Sequence, residues 1–366
     1  MSGTIGTATY GSLASILAAA GNLQAQAAIL QEETSTGDIA QTYGALPQAA
    51  QALSLSAVSA NNNTYAQVIT QTQGTASAMQ TALTQIGSVV SSMASSALQN
   101  AGTDPASSVD TMAQQAQAAF QQVVSLLNTS SGGDYVFSGA DTANPPIPDA
   151  ANATSSGMYT QIGAQVQALN TIPSTTPVAQ VISNTVAIAA STAPGTTLFS
   201  SYLTTPSPAG GLGATATPIQ ISDTQTVTLS LPANQNAGAV SDPSIDGTGS
   251  AINDILGGLA VLANCSDTTA ASPDFTTLMQ NVSTTLTSAG QTLNEESGAI
   301  GVTQDTLTSA ASTNSSMQTM IQTQLSGLTN VDMATAISQL QAVNTQLQTS
   351  YQVLALARSL NLANYL

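Results

Sequence analysis

The chain has 366 residues, enough for two or three domains and a sizeable core. Only 5% of its residues are charged, and one basic residue, Arg358, stands against 18 acidic ones, for a formal net charge of -17. Because phosphate contacts need lysine and arginine, this composition excludes nucleic-acid binding. It disfavours anionic membrane surfaces too, and no apolar run has the length of a membrane span, so no membrane insertion is expected.

The residues that most enzymes use are missing or isolated. Histidine is absent, so neither a Ser-His-Asp nor a Cys-His arrangement can form. The single cysteine, Cys265, has no basic neighbour in the sequence and is expected to be a small buried residue. We therefore predict that the protein is not an enzyme and that it has no catalytic residues, no cofactor and no metal site.

A first helix is predicted from about Leu13 to Glu33, ending at a break over residues 35–38. Its apolar residues recur at alternating spacings of three and four, which is typical of a helix that packs against a partner helix. The stripe consists of Leu13, Ile16, Ala20, Leu23, Ala27 and Leu30.

A second helical region is predicted from near Pro47, with an apolar stripe from Tyr65 to Met93, and a third helix over about residues 107–127. From Ser130 to about Ser250 the chain is rich in proline and glycine, with short strand-like runs at 135–137 and 226–229. Some helix is expected near residues 158–169 and 178–190. We interpret this region as an inserted, outward-facing domain of mixed α/β structure.

Helical periodicity returns over residues 251–263 and again from Phe275 to Leu328, with an interruption predicted at residues 295–298. The last helix is predicted to begin near Val331. Its stripe consists of Ile337, Leu340, Leu347, Tyr351 and Leu354, with Asn344 in the same register.

Two helices with uncovered stripes at opposite ends of a chain suggest that the termini pair with each other. The predicted fold is therefore mainly α, with a long coiled-coil helical rod formed by the N- and C-terminal arms and an inserted mixed α/β outer domain. We predict three parts: residues 1–40 with 329–366 as a terminal coiled-coil assembly domain, residues 41–130 with 265–328 as a helical rod domain, and residues 131–264 as the outer domain. The predicted self-assembly residues are Leu13, Ile16, Leu23, Leu30, Ile337, Leu340, Leu347, Tyr351 and Leu354.

Local motifs in this order along the chain resemble the bacterial flagellin superfamily, which includes filament flagellins and the hook–filament junction protein. Residues 23–37 resemble the family's first helix and the Ser-Thr-Gly break after it. Residues 132–148 resemble the exit into the outer domain, and residues 224–237 are similar to the family's outer β region. Residues 331–340 and the ending at 359–366 resemble its C-terminal core helix.

The resemblance implies a structural subunit of the bacterial flagellum that is exported through the flagellar export apparatus and assembles outside the cell. Its expected partners are further copies of itself, hook-associated proteins and the export apparatus. A filament flagellin is the first interpretation, and the hook–filament junction protein (hook-associated protein 3) is the alternative. A secreted surface adhesin is a more remote one, since an adhesin would not need both terminal stripes.

The charge balance leads to one more expectation. Subunits near -17 repel one another in a polymer, and acid relieves that repulsion by protonating carboxylates. A filament of this chain is therefore expected to tolerate an acidic medium.

Overall fold

The computed structural model describes residues 4–102, 108–170, 176–204, 218–235 and 247–363, with side chains described between residues 14 and 356 of these ranges. The predicted mainly-α fold is confirmed. The helices are α1 (Thr4–Thr36), α2 (Ala49–Gly102), α3 (Val109–Leu127), α4 (Gly157–Gln167), α5 (Val178–Ala189), α6 (Ser201–Thr204), α7 (Ala251–Ala263), α8 (Asp267–Ala270), α9 (Phe275–Thr329) and α10 (Met333–Ala363).

The strands of the described residues form two antiparallel hairpins, and an isolated antiparallel bridge joins Asp38 to Asn330. The first joins β1 (Ser130–Ser131) to β2 (Asp134–Tyr135), and the second joins β3 (Pro218–Gln220) to β4 (Thr226–Thr228). The strand-like run at 226–229 was thus predicted in the right place. Of the run at 135–137, only Tyr135 lies in a strand, β2. Val136 and Phe137 lie in a turn after this strand, and their side chains are buried in the core.

The chain divides into two compact units. Unit 1 comprises residues 1–63 and 315–366, and unit 2 comprises residues 64–314. In unit 1, α1 packs along α10, and the start of α2 lies beside the end of α9. The amide of Gln318 there donates to Ser59 Oγ at 2.8 Å and accepts from Asn62 Nδ2 at 3.2 Å.

Unit 2 contains one large hydrophobic core. Helix α7 is at its centre: nearly every side chain from Ala251 to Leu262 is buried, and α3, α4 and α5 all pack against it. Ser250 caps this helix by accepting from the backbone N–H of Asn253. A helix that is apolar on all sides needs neighbours on all sides, which explains why the surrounding helices converge here.

Side chains from residues 131–264 and from the long helices belong to the same core. Phe120 of α3, for example, packs edge-to-face on Tyr159 of α4, with ring centroids 5.2 Å apart. Gly258 of α7 lies against Leu286 of α9 so closely that an added Cβ would be 2.9 Å from it. The predicted three-part organisation of the chain stays a prediction.

The β3–β4 hairpin packs on the long helices of unit 2. Ile221 and Val227 form a separate small cluster with Ile69 of α2 and Leu307 of α9. In addition, Tyr65 Oη donates to Asp223 Oδ1 at 2.7 Å. The segment that resembles the outer β region, residues 224–237, thus contains the second strand of a hairpin that packs on helices.

The residues that follow α3 are held by one amide side chain. Asn128 at the C-terminus of α3 accepts from the backbone N–H of Ile147 at 3.0 Å and donates to the carbonyl of the same residue at 2.8 Å. This pair of bonds imitates a strand pairing and fixes the proline-rich segment, so that Ile147 is fully buried.

Two helix boundaries differ from those expected. Helix α9 continues through residues 295–298, where an interruption was predicted. Leu293, Glu296 and Ile300 are all buried on one face there, and this packing outweighs the roughly 1 kcal/mol helix penalty of Gly298. Helix α1 begins at Thr4, earlier than the predicted Leu13.

Candidate assembly interface

The predicted terminal stripes meet in a small apolar cluster between α1 and α10. Leu30 of α1 is buried with Val343 and Leu347 of α10. The half-buried residues packed on this cluster are Leu23, Ala27 and Leu340. The stripe predicted for α1 therefore faces α10, and alanine between its leucines lets the two helices approach closely.

The two helices run antiparallel, with the end of α1 next to the start of α10. Two backbone hydrogen bonds join the chain at this place. Ile39 N–H donates to the carbonyl of Thr329 at 2.7 Å, and Val331 N–H donates to the carbonyl of Gly37 at 2.9 Å. Gly37 has a φ of 82°, the left-handed conformation in which helices commonly end with glycine. Its place at the Ser-Thr-Gly break explains why the helix stops there.

Asp332 begins α10 as its N-cap. Its carboxylate accepts from the side chain of Thr335 at 2.8 Å and from the backbone N–H groups of Ala334 and Thr335. The hydroxyl of Thr335, followed by the two backbone N–H groups, lowers the pKa of Asp332. The acidic residue is therefore placed where the unpaired N–H groups of a helix favour negative charge.

The stripe of α10 differs in register from the prediction. Leu340 and Leu347 face α1 as expected, but the buried residues between and beside them are Ala336 and Val343. Ile337 is 43% exposed and Tyr351 is 46% exposed. The physical reason is that α1 can bury the apolar side chain of Val343 without breaking any hydrogen bond. Burial of Asn344, which was predicted to lie in the stripe, would remove its amide from water and require new hydrogen-bond partners.

The nine predicted assembly residues thus fall into separate groups. The side chain of Leu13 lies outside the described residues. Six of the other eight side chains are buried or half-buried, and two are exposed. One of the exposed residues, Tyr351, accepts a hydrogen bond from Gln24 Nε2 through its hydroxyl. The buried or half-buried ones are Ile16, Leu23, Leu30, Leu340, Leu347 and Leu354, and the exposed ones are Ile337 and Tyr351. Their role in self-assembly stays a prediction.

Large exposed apolar side chains are concentrated in unit 1, and periodicity did not reveal most of them. Among the described residues, all such side chains except Leu98 and Val302 belong to this unit. They are Leu17, Ile29, Tyr43, Leu53, Val58, Met317, Met320, Met333, Ile337, Tyr351, Val353 and Leu356. One feature of the sequence could have revealed those on α1 and α10: these helices contain more apolar residues than a single stripe can hold.

Charge is almost absent from the same unit. Its only ionisable carboxylate residues are Glu32, Glu33, Asp38 and Asp332, which all lie near the junction of α1 and α10. Its one basic residue, Arg358, has a side chain outside the described residues. Helix α2 has no charged residue over its whole length. The exposed apolar side chains of unit 1 therefore lie mostly in uncharged helix.

The described residues offer little for chemistry. They contain no cluster of three or more metal-ligating side chains, and none of their helices is long and apolar enough to cross a membrane. Cys265 is buried, as predicted, and burial raises the pKa of its thiol to about 12. A thiol with this pKa stays protonated at neutral pH and is a poor nucleophile.

Comparison with known proteins agrees with this picture. Residues 267–366 match the family model of the bacterial flagellin C-terminal helical region. Among solved structures, a chain described as a putative flagellar hook-associated protein from Vibrio parahaemolyticus has a similar fold, with a TM-score of 0.51 and 13% sequence identity. The alignment covers 78% of this chain and 100% of that chain. No curated protein sequence gave a match.

The predicted resemblance to the flagellin superfamily is confirmed for the C-terminal helices, where residues 267–366 match the family model. Members of this family are structural, non-enzymatic proteins of the bacterial flagellum. The protein is accordingly a structural flagellar component, and its fold is that of a long-helix flagellar protein.

Proposed function

We propose that this protein is a filament flagellin, which polymerises with copies of itself outside the cell through the helices of unit 1. The observation that carries the proposal is the concentration of exposed large apolar side chains in that unit. Apolar surface on this scale is unfavourable in water and is typical of a surface that another protein covers.

The two terminal helices, α1 and α10, leave apolar side chains exposed after they pack on each other. Only one stripe of each is buried in the α1–α10 pair, so that Leu17, Ile29, Ile337 and Leu356 remain exposed. Both helices are amphipathic only weakly, with apolar residues on several faces. A helix of this kind suits a position among several neighbouring helices, such as those of adjacent subunits in a polymer.

The alternative is a hook–filament junction protein, which would be present in few copies at one joint. The fold similarity to the Vibrio parahaemolyticus hook-associated chain favours this alternative. Both functions would use the same terminal helices, and they differ in copy number and in whether the chain polymerises without limit. Export through the flagellar apparatus and contact with hook-associated proteins are proposed for either case.

The first test is quantitative mass spectrometry of flagella sheared from motile source cells. A filament flagellin is expected to be the dominant protein of the sheared fraction. Trace amounts beside another dominant flagellin would favour the junction protein instead. Complete absence would contradict both flagellar proposals and leave a surface adhesin as the remaining interpretation.

A second test uses the purified chain alone. Electron microscopy of concentrated protein with short filament seeds is expected to show growing filaments. Leu356→Asn should raise the critical concentration, because Leu356 is 62% exposed in unit 1. Leu98→Asn, at a similarly exposed leucine of unit 2, is the matched control and should leave the critical concentration unchanged.

A further inference from the structure

We infer that a small cavity of unit 2, between α5, α7 and α9, binds a short primary alkylammonium ion whose charged group meets Asp254 and Thr185. The inference concerns unit 2 alone and does not depend on the proposed self-assembly. The cavity has a volume of about 40 Å³. Since a single water molecule needs roughly 10–15 Å³ by this measure, the space suits a ligand of two or three non-hydrogen atoms.

The wall of this cavity is mostly apolar. Gly257 and Gly258 of α7 form part of it, and a Cβ added at Gly257 would be 3.1 Å from the Ala189 side chain of α5. The two glycines thus let the neighbouring helices approach α7 closely. Aliphatic side chains from the three helices complete the apolar wall, and they are Ile182, Val186, Ala189, Val261, Leu278 and Val282. Such a wall favours a ligand with an alkyl group.

Thr185 brings a buried hydroxyl to the cavity. Its side chain is 7% exposed, and its Oγ1 has no hydrogen-bond partner among the described residues. Threonines in helices can donate to the carbonyl four residues earlier, as Thr284 of α9 does to Gln280 at 2.8 Å. The Thr185 hydroxyl makes no such bond. Because an unpaired buried hydroxyl is unfavourable, a ligand that supplies its hydrogen bond is favoured.

Asp254 brings a carboxylate to the same cavity. Its Oδ1 accepts from the backbone N–H of Thr248 at 2.7 Å. Unit 2 contains no lysine, arginine or histidine, so none of its own side chains can neutralise this carboxylate. Burial raises the pKa of Asp254, as expected for a charge that is removed from water and poorly compensated. A small cation from solution would provide the missing compensation.

A primary ammonium group has the donors that these side chains require. It carries a positive charge for Asp254 and further N–H groups for the Thr185 hydroxyl and the amide oxygen of Asn281. The amide nitrogen of Asn281 already donates to the Thr277 carbonyl at 2.9 Å. Calcium and magnesium ions need about six or more oxygen ligands, which this largely apolar lining does not supply. The carboxylate repels anions.

The test is a methyl NMR titration of the full-length chain, with labelled isoleucine, leucine and valine methyl groups. Ethylammonium chloride is added at pH 7 while NaCl keeps the ionic strength constant. The methyl signals of Ile182, Val261 and Val282 are expected to shift in a saturable way. The expected dissociation constant is millimolar, because so few ligand atoms limit the affinity. Ethanol, acetate and sodium are the matched neutral, anionic and metal-ion probes, and none should give saturable shifts.

Two substitutions test the polar groups. Thr185→Val keeps the shape of the side chain and removes its hydroxyl, so the affinity for ethylammonium should fall roughly tenfold while the chain stays folded. Asp254→Asn should abolish the saturable shifts, because the neutral amide cannot pair with the cation. The matched controls are Thr284→Val and Asp305→Asn at exposed positions of α9, and both should bind ethylammonium like the unmodified chain.

Several outcomes would overturn the inference. If ethylammonium causes no saturable shift in the folded, unmodified chain, the cavity holds water only. Equal binding of ethanol would mean that charge is not recognised, and equal effects of sodium would assign the site to a metal ion. Unchanged affinity in both Thr185→Val and Asp254→Asn would place the bound ethylammonium outside this cavity. None of these results would bear on filament formation, which is tested separately.

Discussion

The hydroxyl of Tyr65 on α2 donates a hydrogen bond of 2.7 Å to the Asp223 carboxylate in the loop of the β3–β4 hairpin. The two residues are far apart in the sequence, and their bond lies next to the small cluster of Ile69, Ile221 and Val227. Polar and apolar contacts together attach the hairpin to the long helices. The same hydrogen bond is the largest cause of the raised pKa of Tyr65, because the carboxylate disfavours an ionised phenol beside it.

Tyr65→Phe is expected to loosen the hairpin without unfolding unit 2. The substitution removes the hydroxyl and keeps the ring, so only the bond to Asp223 is lost. Hydrogen exchange of the Ile221 amide, which donates to the carbonyl of Gln225 within the hairpin, should become faster. Tyr43→Phe, at an exposed tyrosine of unit 1, is the control. Unchanged exchange at Ile221 would mean that the apolar cluster alone holds the hairpin.

Leu347→Ala should destabilise the α1–α10 pair by roughly 2–3 kcal/mol, because it removes a buried side chain from the cluster with Leu30 and Val343. Leu356→Ala, at an exposed leucine of the same helix, should change the stability of the monomer by less than about 0.5 kcal/mol. Denaturant unfolding of the monomer measures both changes. Equal effects of the two substitutions would contradict the register in which α10 packs on α1.

Gly157→Ala should destabilise unit 2 by about 3 kcal/mol or more. A Cβ at this position would be 1.7 Å from the carbonyl oxygen of Gly195, and backbone on that side cannot move aside as a flexible side chain can. Gly298→Ala provides the contrast, since no atom lies within 4 Å of its Cβ position in the middle of α9. This second change should stabilise the helix by about 0.5–1 kcal/mol. Thermal unfolding of the two variants is expected to shift in opposite directions.

Asp254→Asn should raise the thermal stability of unit 2 at pH 7. Burial raises the pKa of Asp254, although hydrogen bonds from the backbone and side chain of Thr248 oppose the shift. Because the folded pKa lies above the unfolded value, protonation favours the folded state: this contribution is fully present below the unfolded pKa and is lost as the pH rises through the folded pKa. The advantage of the uncharged asparagine should therefore shrink between pH 7 and pH 3.

The control for this pH dependence is Asp305→Asn, which neutralises an exposed carboxylate of α9. Its melting temperature should follow that of the unmodified chain at both pH values. If Asp254→Asn is less stable than the unmodified chain at pH 7 as well as at pH 3, then the Asp254 side chain is needed for its hydrogen bonds to Thr248, and desolvation of its charge is the smaller effect.

The sequence by itself determined the helical character of the chain, the stripe on α1 and the pairing of the two ends. These follow from local periodicity, since residues spaced by three and four share one face of a helix and must be covered. The end of α1 at Gly37 was also readable, because a helix commonly ends where glycine can adopt a positive φ. The motifs at the two ends and between them were sufficient for the resemblance to the flagellin superfamily.

Only the tertiary structure decided which stripe of α10 faces α1. The candidates that contain Ile337 or Ala336 differ by one residue, and helical spacing permits both. The choice depends on whether Val343 or Asn344 can be covered by the partner helix, and apolar Val343 is the one that is buried. In the same way, the Tyr65–Asp223 contact and the continuity of α9 past Gly298 depend on neighbours distant in sequence, and no local pattern contains them.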